Sequence, residues 1–338
     1  MKIVEVKQNW PKGYFRIDYM VGNICNYKCW YCFPGSNEGT YKWPEYDLII
    51  KNLSHLLDYY LKNTDIKKFE IHLLGGEVTH WKNFIPFIKY FKENYNCIFT
   101  LTSNGSKKIE WWQKAAPYID QVTLSHHQEF VKKEHLRDVA DFLYKSNVLV
   151  DISVLMDPTR WEECIESIEY YKKSEKKWSI RYIEVLQDML NVKNPYTPEQ
   201  RKVVESVRAR GSNIFYYLRV NKIYRSKVTV INEEGKKISV RENQILRDRL
   251  NNFYGWECEL GVKWLAIKTN GDISGSCSNS LYNSNETYNI NDLDFTDKFH
   301  PTITTTTCTQ SACWCGFETN MFKKEKPSSK KVIPIYAN

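Results

Sequence analysis

No apolar run in this chain approaches the ~20 residues that a helical membrane span needs, so a helical integral membrane protein is excluded. Met1 to Asn9 is charged and has no apolar h-region, which leads to the expectation of a cytoplasmic protein. There is no internal repeat and no low-complexity block, so a solenoid or a disordered tract is not expected. An RNA-binding motif is also missing. The net charge of +8 therefore only permits a nucleic-acid partner, and none is expected.

What is present is globular. The 338 residues are 42% hydrophobic and 26% charged, enough for one large domain and a small one. Ten cysteines in a cytoplasmic chain argue for metal or catalytic thiols rather than disulfides. Lys323, Lys324, Lys326, Lys330 and Lys331 form a local basic concentration, read as a solvated tail.

Strand and helix patterns alternate through the first half. Strands are expected at Phe15 to Val21, Phe69 to Leu74, Cys97 to Thr102, Val122 to Ser125, Val148 to Met156 and Ile180 to Leu186. Helices are expected at Glu45 to Lys62, Asn83 to Glu93, Lys107 to Ala116, Lys132 to Lys145, Trp161 to Lys172 and about Glu199 to Arg210. Six β–α units in a row imply an α/β fold with a parallel sheet, either doubly wound or a partial barrel. Ligands would sit at the C-terminal ends of its strands. After about Asn191 the pattern changes to short strands at Tyr216 to Val220, Val228 to Ile231 and Lys237 to Val240, then a short charged helix at Arg241 to Phe253.

Cys25, Cys29 and Cys32 stand in CNYKCWYC, directly after the first of these strands. Thiolates so close in one loop can reach one metal centre, and cysteines hold iron–sulfur clusters. A zinc site remains open as an alternative, but a structural zinc wants a fourth protein ligand, and none stands in this loop. Gly75-Gly76-Glu77 follows the second strand, with glycines that permit close approach to a ligand and a carboxylate that can accept from an ammonium group. Ser103-Asn104-Gly105 follows the third strand and reads as a turn.

A CxxxCxxC loop after strand one, with GGE and SNG segments after strands two and three, resembles the radical S-adenosylmethionine (SAM) superfamily. The resemblance implies a partial (β/α)6 TIM-like barrel. It further implies a [4Fe–4S] cluster on Cys25, Cys29 and Cys32, with SAM on the iron that has no protein ligand. Tyr31 would lie near the adenine. Gly75, Gly76 and Glu77 would meet the SAM amino group, although Val78 replaces the family's usual proline. Ser103 and Asn104 would approach the ribose. The strand-five end, Met156 and Asp157, also lies at this level, with Met156 expected to contact the cofactor.

The other strand ends should face substrate. Ser125, His126 and His127 end strand four, Met156 and Asp157 end strand five, and Glu184 and Gln187 end strand six. His126, His127 and Glu184 are the candidate catalytic residues. Neighbours on a strand point to opposite faces, so at most one histidine should face the interior.

Cys258, Cys277, Cys308, Cys313 and Cys315 crowd the last eighty or so residues, with Gly271 ahead of Cys277 in NGDISGSC. This arrangement resembles the twitch or SPASM auxiliary-cluster modules of radical SAM enzymes. It implies a second [4Fe–4S] cluster on four of the five, Cys258 and Cys277 with two of Cys308, Cys313 and Cys315, with a structural zinc as the alternative. Cys97 and Cys164 read as ordinary buried thiols. The expected organisation is a radical SAM core over 1–190, a connector with helix and hairpin over 191–254, an auxiliary-cluster module over 255–320 and a basic tail over 321–338.

The function implied is reductive cleavage of SAM to a 5′-deoxyadenosyl radical that abstracts hydrogen from a substrate. Expected partners are that substrate, a peptide or a small molecule, and an electron donor such as flavodoxin or ferredoxin. Peptide crosslinking or epimerisation is slightly favoured over oxidation or epimerisation of a sugar- or nucleotide-like molecule. A non-enzymatic iron–sulfur or zinc protein is the rival reading.

Overall fold

The structure is a computed structural model. It describes residues 2–7, 12–32, 35–174, 178–185, 196–211, 228–240, 245, 250–275, 281–282, 286–311, 313 and 322–326. In chain order the elements are β1 (Ile3–Lys7), β2 (Tyr14–Met20), α1 (Tyr46–Asn63), β3 (Lys68–Leu74), α2 (Phe84–Asn94), β4 (Cys97–Ser103) and α3 (Ile109–Ala115). There follow β5 (Gln121–His126), α4 (Lys133–Lys145), β6 (Leu149–Met156), α5 (Trp161–Lys172), β7 (Ser179–Glu184) and α6 (Pro198–Gly211). The remainder is β8 (Val228–Asn232), β9 (Lys237–Val240), β10 (Glu257–Cys258), β11 (Trp264–Ile267), β12 (Asp272–Ser274), β13 (Tyr288–Asn289), α7 (Phe295–Lys298), β14 (Thr306–Thr307) and β15 (Lys323–Lys324). The strand expected at Tyr216 to Val220 lies outside the described residues, as does most of the helix expected at Arg241 to Phe253.

The six expected β–α units are β2–α1 through β7–α6. Their strands pair in parallel and in sequence order, forming the mixed α/β sheet of a partial barrel. One face of each helix packs on this sheet. In α1 the buried residues are Ile49, Leu53, Leu56, Leu57 and Tyr60, and in α4 Leu136, Val139, Ala140 and Leu143, both at helical spacing. They meet the outward strand residues Phe15, Ile17, Tyr19, Phe69, Ile71, Leu73, Val122, Leu124, Ile152 and Val154 in one core.

The C-terminal segment does not stand apart from this sheet. Strand β11 pairs in parallel with β2, and β12 and β13 follow antiparallel, giving a nine-stranded sheet from β13 to β7. Helix α1 is tied to the same segment. The Asn52 carboxamide donates to the Ile290 and Asp292 carbonyls, and the Tyr60 hydroxyl bonds the Gly261 carbonyl.

A second, antiparallel sheet runs β14-β10-β15-β1-β8-β9. It joins the first residues of the chain to the last described ones, with Val6 opposite Lys323. Lys323 is buried there with its ammonium 5.2 Å from the Phe253 ring centroid. At this residue the expectation of a solvated tail is corrected, because strand pairing places the aliphatic stem inside. No helix among the described residues is long and apolar enough to cross a membrane.

Candidate active site

The cysteine loop leaves β2 and stays bonded to the chain beside it. Val21 N–H donates to Leu74 O (3.0 Å), Gly76 N–H to Gly22 O (2.9 Å) and Glu77 N–H to Ile24 O (2.8 Å). The β2–β3 ladder thus continues past both strands into the Gly-Gly-Glu segment. A methyl group on Gly75, whose φ is +142°, would overlap the Gly22 carbonyl oxygen, and one on Gly76 would overlap that of Ile24. The expected reason for these glycines was close approach to a ligand. The neighbour they admit is the chain's own backbone.

Glu77 is buried and joins the motifs. Its Oε1 accepts from Thr79 N–H (3.2 Å), Thr79 Oγ1 (2.6 Å) and Ser103 Oγ (2.8 Å), and its Oε2 from Asn104 N–H (2.6 Å). Burial pushes this carboxyl above its ordinary range, and these donors pull it part of the way back. Asn104 in turn donates to Asn26 Oδ1 (2.9 Å), between the first two cysteines. The three segments read from sequence therefore meet through Glu77, Ser103, Asn104 and Asn26.

Two side chains anchor the loop: Asn23, which carried no sequence signal, and Asp157, which was read only as a strand end. The buried Asn23 side chain donates to Gly35 O (2.7 Å) and Thr40 Oγ1 (2.8 Å) and accepts from Tyr41 N–H (2.7 Å). Asp157 is buried, and its Oδ2 accepts from Trp30 Nε1 (3.0 Å), fastening the loop to the far side of the sheet.

Among the thiols, Cys29 is buried, and Cys25 and Cys32 are half-buried. Cys29 packs with Tyr31 and Val185, against Tyr27, Cys32 and Leu155. Burial pushes the Cys29 thiol up to about 12, with the charges of Cys32 and Cys25 adding to it, and burial and the nearby Glu77 and Cys32 raise Cys25. Among the described residues no three His, Cys, Asp or Glu side chains are gathered for a single metal ion. A cluster differs in its demand, because each thiolate goes to its own iron. Three thiols on one loop, each able to ligate as a thiolate, fit such a centre.

The two histidines diverge. His126 lies under α5, with Nδ1 2.8 Å from Tyr171 Oη and Nε2 2.6 Å from Gln128 Oε1. His127 faces the thiols, with Nδ1 3.3 Å from Cys29 Sγ and 3.1 Å from Tyr31 Oη. Burial holds each imidazole down to about 4.

Met156 was expected at the cofactor and is not there. Its side chain is buried in the helix-side core, whereas Leu155, one residue earlier, packs by Cys29. Glu184 closes β7 opposite Met156 in register, but its side chain, Gln187, Cys277 and Cys315 lie outside the described residues.

Below the loop the inner wall of the sheet is polar. At its base the buried Arg16 bonds Asp18 (2.8 Å from Nε) and Glu70. Glu70 also accepts from Tyr14 and Thr100, and Asp18 from Trp264 Nε1 (2.6 Å). Nearer the mouth, His72 lies between Thr100 Oγ1 (2.7 Å) and Thr102 Oγ1 (3.3 Å), and Arg181 donates to Thr123 Oγ1 (3.0 Å). His72, Thr102, Thr123, Arg181 and Ser125 are partly exposed, so the wall opens toward the loop.

In the second sheet, Cys258 pairs with Thr306, and Cys308 exchanges backbone bonds with Gly255 and Trp256 (2.8 Å each). Positions two apart along such a pair share a face, so Cys258 and Cys308 do. Cys313 is held alongside by Asn251, which accepts from its N–H (2.8 Å) and donates to its carbonyl (3.1 Å). Cys97 and Cys164 are buried away from both groups.

The three-thiol loop stands at the C-terminal end of the first barrel strand of a parallel α/β sheet, the architecture of a class of barrels whose ligands sit at the strand ends. A radical SAM domain spans residues 19–183, which match the model of the Radical SAM superfamily. Its members are enzymes that carry a [4Fe–4S] cluster and SAM. The fold is similar to that of anSMEcpe with bound AdoMet, at 15% identity and a TM-score of 0.55 over 86% of this chain and 81% of that one. It is also similar to anSMEcpe with bound AdoMet and a Kp18Cys peptide, at 15% identity and a TM-score of 0.52 over 86% and 81%. At such identities the likeness shows the fold. No curated protein matches the chain in sequence.

Proposed function

We propose that Cys25, Cys29 and Cys32 hold a [4Fe–4S] cluster and that Tyr31, Gly75, Gly76, Glu77, Ser103 and Asn104 form the SAM site beside it. With SAM and a reduced cluster held there, one electron would pass to SAM and split it into methionine and a 5′-deoxyadenosyl radical able to abstract hydrogen from substrate. The observation that carries this reading is the bonding of the thiol loop through Asn26 and Asn104 to Glu77. Glu77 sets the relative position of all three segments. Asp157 holds the loop against the sheet, Asn23 closes the loop on its own returning segment, and the polar inner wall orients substrate beneath it.

Cys258, Cys308 and Cys313, with Cys277 or Cys315, are proposed to hold a second cluster in a twitch-like module after a core to about residue 190 and a connector. A low-potential donor of the flavodoxin or ferredoxin kind would reduce the first cluster, in the cytoplasm. Peptide modification as an oxidoreductase or epimerase is the first reading for the substrate, supported by the similarity to the peptide-bound fold. The second is a hydroxyl-rich small molecule, favoured by His72, Thr102, Thr123, Ser125 and Arg181 on the inner wall.

The test is an iron and sulfide count on anaerobically reconstituted protein. About eight irons, falling to about four in Cys258→Ala, support both clusters, and about four in each protein leaves the C-terminal thiols a structural or zinc site. No iron in wild type overturns the reading.

A further inference from the structure

This inference rests on Cys29 as a cluster ligand. The His127 ring is fixed from several sides. It stacks on Tyr31 (centroids 5.9 Å, 13°) and meets Tyr27 edge-on (6.0 Å, 82°), and Tyr27 stacks on Phe130 (5.0 Å, 21°). Its carbonyl accepts from Phe130 and Val131 N–H (3.0 Å each), which fixes the backbone after β5. Its neighbour His126 is bound to Tyr171 and Gln128 on the opposite face, so the two side chains cannot exchange roles without breaking both sets.

The result is a ring nitrogen 3.3 Å from Cys29 Sγ, with the Tyr31 hydroxyl 3.1 Å from the same nitrogen. The tyrosine itself packs against Cys29. A thiolate sulfur on iron accepts hydrogen bonds and has none to donate. When the ligand is in place, the facing groups must therefore be Nδ1–H and O–H. Hydrogen bonds to cluster sulfurs are among the factors that set the potential. Donation into the sulfur lone pairs offsets negative charge and so favours the reduced state, which carries one electron more.

We propose that His127 is a positioning residue for the cluster. As the Nδ1–H tautomer it works with Tyr31 to donate at the Cys29 sulfur and to raise the reduction potential of the centre. Neither residue needs to touch substrate for this role.

The test is a redox titration of reconstituted full-length protein, followed by the electron paramagnetic resonance signal of the reduced cluster without SAM. Removing a donor in His127→Phe is expected to move the reduction equilibrium about tenfold toward the oxidised form, a shift of ~59 mV to lower potential for one electron. Tyr31→Phe should move it in the same direction, and His127→Gln, which keeps an N–H, should return most of the shift. A wild-type midpoint in His127→Phe at full iron content overturns the proposal, as does a His127→Gln value equal to that of His127→Phe. Wild-type protein that binds no cluster overturns the ligand reading instead. A bound cluster with an unmoved midpoint leaves that reading standing and removes only the role of His127.

Discussion

Gly76→Ala is expected to loosen the cluster far more than it loosens the fold. The added methyl group would overlap the Ile24 carbonyl oxygen, standing 2.5 Å from its carbonyl carbon and 2.8 Å from that of Asn23. All three are backbone atoms, so relief requires the chain leading into Cys25 to move. Moving it breaks the bonds from Gly76 N–H to Gly22 O and from Glu77 N–H to Ile24 O, about 2 kcal/mol together. Residual crowding adds about 1–3 kcal/mol. Strands β2 and β3 have parallel neighbours on both sides and cannot yield, so the strain falls on the loop. If about 3 kcal/mol is needed to return the loop to its ligating shape, cluster affinity drops by roughly a hundredfold. The assay is iron content after reconstitution, beside the thermal unfolding midpoint of the cluster-free protein. Gly39→Ala is the control, since its methyl group meets open space and its left-handed backbone costs only ~1 kcal/mol. Gly76→Ala with wild-type iron and an unchanged midpoint would refute the reasoning.

Other substitutions test neighbouring parts of the account. Glu77→Gln turns one acceptor oxygen into a donor against Ser103, Thr79 or Asn104, and should cost about 1.5–3 kcal/mol in chemical unfolding and weaken SAM binding; equal stability and affinity contradict it. Arg16→Met strands Asp18 and Glu70 in the base of the sheet and should destabilise by about 3–5 kcal/mol, with Arg16→Met/Asp18→Asn/Glu70→Gln recovering part; a neutral single variant contradicts it. His126 is held neutral in the fold, with its pKa lowered from 6.5 to about 4 by burial. The folded state thus binds fewer protons than the unfolded one, and this contribution is whole above about pH 6.5 and lost as pH falls toward 4, up to about 3 kcal/mol. The stability lost between about pH 7 and about pH 4.5 should be smaller in His126→Gln than in wild type, and identical losses contradict it.

The parallel sheet was legible because each of its strands is a local run of apolar and β-branched residues followed by a helix with its own stripe. The three motifs were legible because each sits at a strand end, where the topology gathers residues distant in sequence. What escaped was non-local. Ile3–Lys7 is five residues long and finds its partners at Val228–Asn232 and Lys323–Lys324, so no local period marks it. The parallel docking of Trp264–Ile267 on β2 is likewise a matter of tertiary pairing. Met156 was misplaced although a signal existed. In VLVDISVLM, Asp151 and Ser153 mark the inward phase, and alternation then puts Leu155 inside and Met156 outside. Glu77 could be read as a ligand-binding carboxylate from its motif, but its four internal donors come from two segments that only the fold brings together.

The central claim is that the thiol loop at the barrel mouth supports reductive cleavage of SAM. It is tested most directly by adding SAM and dithionite to the anaerobically reconstituted protein and measuring 5′-deoxyadenosine by mass spectrometry, beside the Cys25→Ala/Cys29→Ala/Cys32→Ala variant. The account predicts 5′-deoxyadenosine from wild type and none from the variant. An intact, dithionite-reducible cluster that yields no 5′-deoxyadenosine, with or without candidate peptides and small molecules added, would contradict it.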